Sequence, residues 1–220
     1  MKTVTIEDLK KYEPTYDSVI KYLPKNWKGT VLDILNLERC SMRGRIWIAT
    51  RGGRLFFTDK QLKIFACDCV DRILRLIDKP LDNNCLRAFK DLRAYADSGE
   101  NVDEDCVAAY FASVCSTAIW SVADPYFTAI SAGYYVFHKA APDAAYYVAS
   151  DVASTVYFMN CHYCDYYATS DAYDAPIVDV IVSTTRDSVR FYLTDQAVEA
   201  ENDERQWQIE RLKQIAREVV

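Results

Sequence analysis

Apolar and polar positions recur with a helical period along most of this chain. The clearest case follows Thr58. Leu62, Phe65, Ala66, Cys69, Val70, Ile73, Leu76 and Ile77 fall on one face, and Lys60, Lys63, Asp71, Arg72 and Arg75 on the other. Thr58-Asp59-Lys60-Gln61 fits a capping box at its start, and the helix ends before Pro80. A second helix starts near Asp82, turns Cys85, Phe89, Leu92 and Ala96 inward, and stops at Ser98-Gly99. The two form an αα-hairpin. A third begins at Asp103-Glu104-Asp105, acids that suit a positive helix end, and runs to about Ala123. Asp124-Pro125 supplies the N-cap and first position of a fourth, ending near Ala141. Pro142-Asp143 starts a fifth, running to about Thr169.

The stretch from Cys106 to about Thr169 is nearly free of charge and dense in Ala, Ser, Thr and Cys. Aromatic doublets punctuate it, among them Tyr134-Tyr135, Tyr146-Tyr147 and Tyr157-Phe158, spaced by twelve and eleven residues. Eleven residues make three helical turns, so the doublets are expected on nearly the same face. Small residues let helix axes approach closely, which predicts the packed centre of the protein here.

The ends read differently. Residues 1–57 break into short pieces. A helix follows Thr5, a loop spans Lys25 to Gly29, and Thr30 caps Val31-Leu32-Asp33-Ile34-Leu35. Ile46-Trp47-Ile48 fits helix or strand, and Arg51-Gly52-Gly53-Arg54 reads as a turn. Residues 177–193 are rich in β-branched residues but fit a helical face better than strict alternation. The last segment, about 195–218, is a charged amphipathic helix. Trp207, Leu212, Ile215 and Val219 lie near one side, and Glu and Arg cover the rest. The expected fold is all-α: a multi-helix bundle or stacked αα-hairpins. A short-helix region, 1–57, joins a helical main domain, 58–220, in one compact unit.

Composition narrows the class of protein. The chain has 220 residues, half of them apolar, and a net charge of −6. That length buries a sizeable core. The acidic balance disfavours a nucleic-acid binder that works by neutralising phosphates. No apolar run is long enough for a bilayer span, and the first residues lack the apolar core of a signal peptide. The expectation is a soluble cytoplasmic protein, with its eight cysteines reduced rather than paired.

A resemblance appears once the elements are in order. TIEDLKKYEPTYD, YLPKNWKGTVLDIL and IWIATR stand near the start. LKIFACDCVDRIL and AFKDLRAYADSGENVDEDCVAAYFAS precede an Ala-rich run, and ERQWQIERLKQI closes the chain. Taken together, these segments resemble a family of proteins from bacteria and their phages labelled immunity proteins. The resemblance covers nearly the whole length, but its motifs are compositional and helical, not catalytic. This chain departs from the pattern in its middle, where Tyr, Val and Ser replace much of the usual Ala. No active-site residue is carried over. The resemblance implies a helical protein that binds a protein partner, a toxin or a host-defence component, in conflict between bacteria or between phage and host. The compartment would be the bacterial cytoplasm, that of the host if phage-encoded.

Few residues suggest chemistry. Cys161-His162-Tyr163-Cys164 is the one metal-like cluster, and zinc would need a second ligand pair. Cys67 and Cys69 are two apart and do not share a helical face. Buried thiols are the plainer reading, so no metal or cofactor is expected. Two His residues and no nucleophile or phosphate-loop pattern point away from an enzyme. Acids at Glu199, Glu201, Asp203 and Glu204 read as a solvated face, or as a patch for a basic partner. The sixteen tyrosines fill a core or form a binding face. The richest candidate for partner binding is Tyr163, Tyr166, Tyr167, Asp171, Tyr173 and Asp174, at a helix end and loop. Exposed doublets could equally form a homodimer seam. The rival reading is a small-molecule or nucleotide binder. In it a doublet stacks a base, and Arg43, Arg45, Arg51 or Arg54 meets its phosphates.

Overall fold

The computed structural model describes residues 2–10, 20–76, 83–98, 125–159 and 195–218. These residues form an all-α fold with one two-stranded ladder. In chain order the elements are β1 (Val4–Thr5), α1 (Ile6–Lys10), β2 (Lys28–Gly29), α2 (Val31–Leu35), α3 (Met42–Arg51), α4 (Gly53–Phe56), α5 (Asp59–Leu74), α6 (Asn83–Ser98), α7 (Pro125–His138), α8 (Ala141–Met159) and α9 (Asp195–Arg217). No helix among the described residues is long and apolar enough to cross a membrane. The expected helix from 103, the 177–193 segment and the Cys161–Cys164 cluster lie outside the described residues.

Local chemistry sets the helix starts. Thr58 accepts from the Gln61 backbone N–H at 3.2 Å, while Gln61 accepts from the Thr58 N–H at 2.8 Å. This reciprocal capping starts α5. Asp33 accepts from the Thr30 N–H at 2.6 Å and from its hydroxyl at 2.9 Å, which starts α2. Ser41 caps α3 by accepting from Gly44 N–H at 3.2 Å.

Two local expectations change and one open alternative is resolved. Lys28-Gly29 is not plain loop but pairs antiparallel with Val4-Thr5, an edge that periodicity cannot foresee. Ile46-Trp47-Ile48 is helical. The expected four-residue turn at Arg51 shrinks to Gly52, which ends α3, and Gly53 already opens α4. A Cβ at Gly52 would stand 2.7 Å from the Ile48 carbonyl oxygen, so the close approach of this bend requires glycine there.

Helix α8 is the centre of the fold. It packs against α3, α5, α7 and α9. Ala144, Ala145, Val148, Ala149, Val152 and Ala153 are all buried along it, small side chains that admit a neighbour on more than one side. Phe65, Leu62 and Ile73 of α5, Leu92 of α6, Ile130 of α7, and Ile209 and Leu212 of α9 complete this core. A second cluster, with Val4, Ile6, Leu9, Leu23, Ile34, Cys40, Trp47 and Ile48, lies beneath the N-terminal pieces and reaches Tyr146 of α8. The α5–α6 pair is a hairpin: Lys63 meets Tyr95, and further along Cys67 meets Leu92 and Asp68 meets Arg93.

The free thiols of Cys40, Cys67 and Cys69 are buried. Burial pushes all three up from the ordinary thiol value, Cys69 well above it. The thiolate is the reactive species. Native protein at pH 8 should therefore leave these three unmodified by iodoacetamide, with modification appearing only in denaturant. Mass mapping that finds any of them alkylated in the fold would contradict this burial.

Candidate functional site

The chain turns back between α7 and α8, and the doublets meet by that turn rather than by periodicity. Tyr134-Tyr135 lies on α7 and Tyr146-Tyr147 on α8. The twelve-residue spacing therefore does not run along one helix, as a shared face would require. Instead the antiparallel packing sets the Tyr135 and Tyr147 rings 5.6 Å apart. Thr128 and Thr155, further along the same two helices, share a buried hydroxyl contact of 2.5 Å.

Helix α3 brings arginine to this ring cluster. Arg51 ends α3, and its guanidinium lies 5.1 Å from the Tyr147 ring centre and 5.5 Å from that of Tyr146. It donates through Nη2 to the Tyr147 hydroxyl at 2.9 Å and pairs through Nη1 with Asp143 at 2.7 Å. The pair is open to solvent, with side-chain exposures of 31% and 37%. Arg43, two helical turns earlier, donates to the Tyr146 hydroxyl at 3.4 Å. Tyr146 itself is buried, which fixes the seam; Tyr147 is exposed.

At the other end of α3 the seam opens into a cleft of about 380 Å³ lined by Ser41, Met42, Arg43, Glu201, Asn202 and Arg205. Arg205 is buried, and its Nε and Nη2 both donate to one Glu201 oxygen, at 2.8 and 2.7 Å. Arg43 is shared by the two places: it reaches the Tyr146 hydroxyl and also lines the cleft with Arg205 of α9.

A second charged cluster lies between α5, α6 and α9. Asp68 accepts from Arg93 at 2.5 Å and from Arg211 at 2.6 Å. Glu204 is only 2% exposed; it accepts from Arg72 at 2.7 Å and from Gln208 at 3.2 Å. The Arg72 guanidinium also stands 4.4 Å from the Trp207 ring centre, and Gln208 donates to the Ala149 carbonyl at 2.9 Å. Burial holds the Glu204 carboxyl above its usual range, although Arg72 and Gln208 pull it down. This cluster ties helices together. It corrects the reading of α9: Glu204, Arg205 and Gln208 are buried rather than part of a solvated face. Trp207 is partly buried against the core and lies under the Arg72 guanidinium, which ties α9 to α5.

Asp151, on α8, has a different character. Burial alone pushes its carboxyl up to about 6. The unfolded chain would release that proton near the ordinary value of 3.8. Between these values the native state binds more protons, so stability falls as pH rises from about 4 to 6 and stays lower above. Asp151→Asn should then stabilise the protein by about 1–2 kcal/mol at pH 7.5 and by little at pH 4. Urea titrations at both pH values check this; an equal effect at the two would sink it.

Of the residues singled out for partner binding, Tyr163, Tyr166, Tyr167, Asp171, Tyr173 and Asp174 all lie outside the described residues. What the structure does assemble are the arginines and doublets named for the rival reading. Arg43 and Arg51 reach Tyr146-Tyr147, whereas Arg45 turns away and donates to the Leu35 carbonyl at 3.0 Å. Asp143 has no signal in sequence beyond its place in a first helical turn. Among the described residues no group of three or more His, Cys, Asp or Glu could hold a metal ion. Comparison with protein families, curated proteins and solved structures finds no match for this chain.

Proposed function

We propose that this protein is a non-enzymatic binder of a protein partner, an immunity-type or anti-defence inhibitor acting by stoichiometric contact in the bacterial cytoplasm. The observation that carries the reading is Arg51 laid across Tyr146 and Tyr147, with Tyr147 presented to solvent. Tyr and Arg dominate interface hot spots. Here both are already held in place by helix packing and mutual hydrogen bonds, so little side-chain freedom is lost on binding. The family resemblance of the sequence motifs adds the class of partner: a toxin or a host-defence component.

The test is affinity capture from bacterial lysate with the full chain and with Tyr147→Ala, followed by light scattering of the purified complex. The reading expects one partner at fixed stoichiometry, retained by the parent protein and lost with the variant. Recovery of no specific partner removes it. The nucleotide reading is favoured by one observation, the placing of Arg43 and Arg51 at a tyrosine doublet. Thermal shift against a nucleotide panel decides it, since stabilisation by any member is what it requires.

A further inference from the structure

We propose that the outer ridge of α8, at Tyr147 and Asp151, receives a basic side chain of the protein partner, which completes an ion pair that the free protein leaves open at Asp151. This rests on the protein-binding reading above and names the chemistry of the partner: a segment that presents Lys or Arg.

Position is the first argument. Asp143, Tyr147 and Asp151 follow one another at intervals of four along α8, so they share one ridge of the helix surface. Ala145, Val148, Ala149 and Val152 of the same helix are buried in the core. On the ridge, Tyr147 is exposed and Asp151 is half-buried, so part of it still meets solvent.

The open ion pair is the second. At the near end of the ridge, Arg51 pairs with Asp143 and donates to the Tyr147 hydroxyl. That end is neutral within the protein. Asp151 has no such match: among the described residues no hydrogen bond or ion pair reaches it, and burial is the sole influence on its carboxyl. Charges withdrawn from water are ordinarily paired. An incoming cation meets a carboxylate that has already lost part of its hydration, so pairing gains more there than at a fully solvated acid.

Stability is the third. Asp151→Asn is expected to stabilise the free protein at neutral pH, so the fold does not need this charge for its own sake. A polar group that weakens the fold and has no internal role is what a binding surface retains. The acidic chain, at −6, favours the approach of a basic segment.

The experiment uses the full chain and a short oligo-lysine peptide, with oligo-glutamate of equal length as the other arm, read by calorimetry at pH 7.5. An acidic protein attracts any polycation, so the decision rests on substitutions. Asp151→Asn should weaken oligo-lysine binding about tenfold, a loss of one charge-assisted contact. Asp203→Asn makes the same charge change at an exposed acid of α9 and should weaken it by less than about twofold. Tyr147→Ala should weaken it severalfold, through lost contact with the cation. Urea denaturation verifies that Asp151→Asn folds at least as stably as the parent protein, so weaker binding by this variant does not come from unfolding. No oligo-lysine binding, equal effects of Asp151→Asn and Asp203→Asn, or tighter binding of oligo-glutamate overturns the inference. A stoichiometric partner captured with Asp151→Asn as well as with the parent protein defeats the inference alone and leaves protein binding standing.

Discussion

Glu204→Ala should lower stability by about 3 kcal/mol, the lower end of the range for breaking a buried ion pair. Glu204 is almost fully buried, and it is the acceptor for both Arg72 and Gln208. Removing it costs Gln208 one of its two acceptors, the Ala149 carbonyl remaining, and leaves Arg72 without its counter-charge. Arg72 keeps some access to water, at 37% side-chain exposure, which places the loss at the lower end. The raised Glu204 carboxyl adds a signed expectation. The native state holds this proton more tightly than the unfolded chain, so the ionised group stabilises less than its contacts suggest. Its contribution declines as pH rises through its folded value. Replacing the pair together, Arg72→Met with Glu204→Leu, should therefore recover most of the loss. Chemical denaturation of the single and double variants decides it; a double variant as unstable as the single would show that the pair is a net stabiliser.

Phe65→Ala should be at least as severe, at about 3–5 kcal/mol. Phe65 is fully buried in α5, in the core built around α8. The α8 residues of the same core include small side chains such as Ala145 and Ala149, which cannot extend to fill a void. Leu76→Ala is the matched control. Periodicity places Leu76 on the same face as Phe65, but it is 39% exposed, beyond the end of α5. Its loss should stay near 0.5 kcal/mol. If the two substitutions had similar effects, the burial seen along α5 would be wrong.

The contrast between Phe65 and Leu76 shows where sequence reading stops. Within α5 the period is obeyed from Leu62 to Ile73, because one continuous partner, the α7–α8 layer, lies along that face. Leu76 obeys the same arithmetic, yet no described neighbour covers it. The same limit appears on α9. Its acids look solvated by composition, but Glu204 is buried because α9 lies against α5 and α8. Arg72 and Gln208 then satisfy it across distances that no local pattern reports. The arginine–tyrosine surface was legible only in its ingredients. Arginine in residues 43–54 and the aromatic doublets were both conspicuous, but Asp143 and the choice of Arg51 over Arg45 were not.

What the amino-acid order determined by itself was local: helix starts at Thr30 and Thr58, the inward face of α5 and α6, the Pro125 boundary, and a weakly charged middle suited to close packing. Each follows from bonds and side-chain sizes within a few residues. The tertiary structure alone decided which helix became the centre, which charges were buried, and that Arg51 should lie across Tyr146 and Tyr147. These are contacts between residues 59 to 143 apart in the chain. Their energies depend on which surfaces meet, and periodicity reports only that a surface exists.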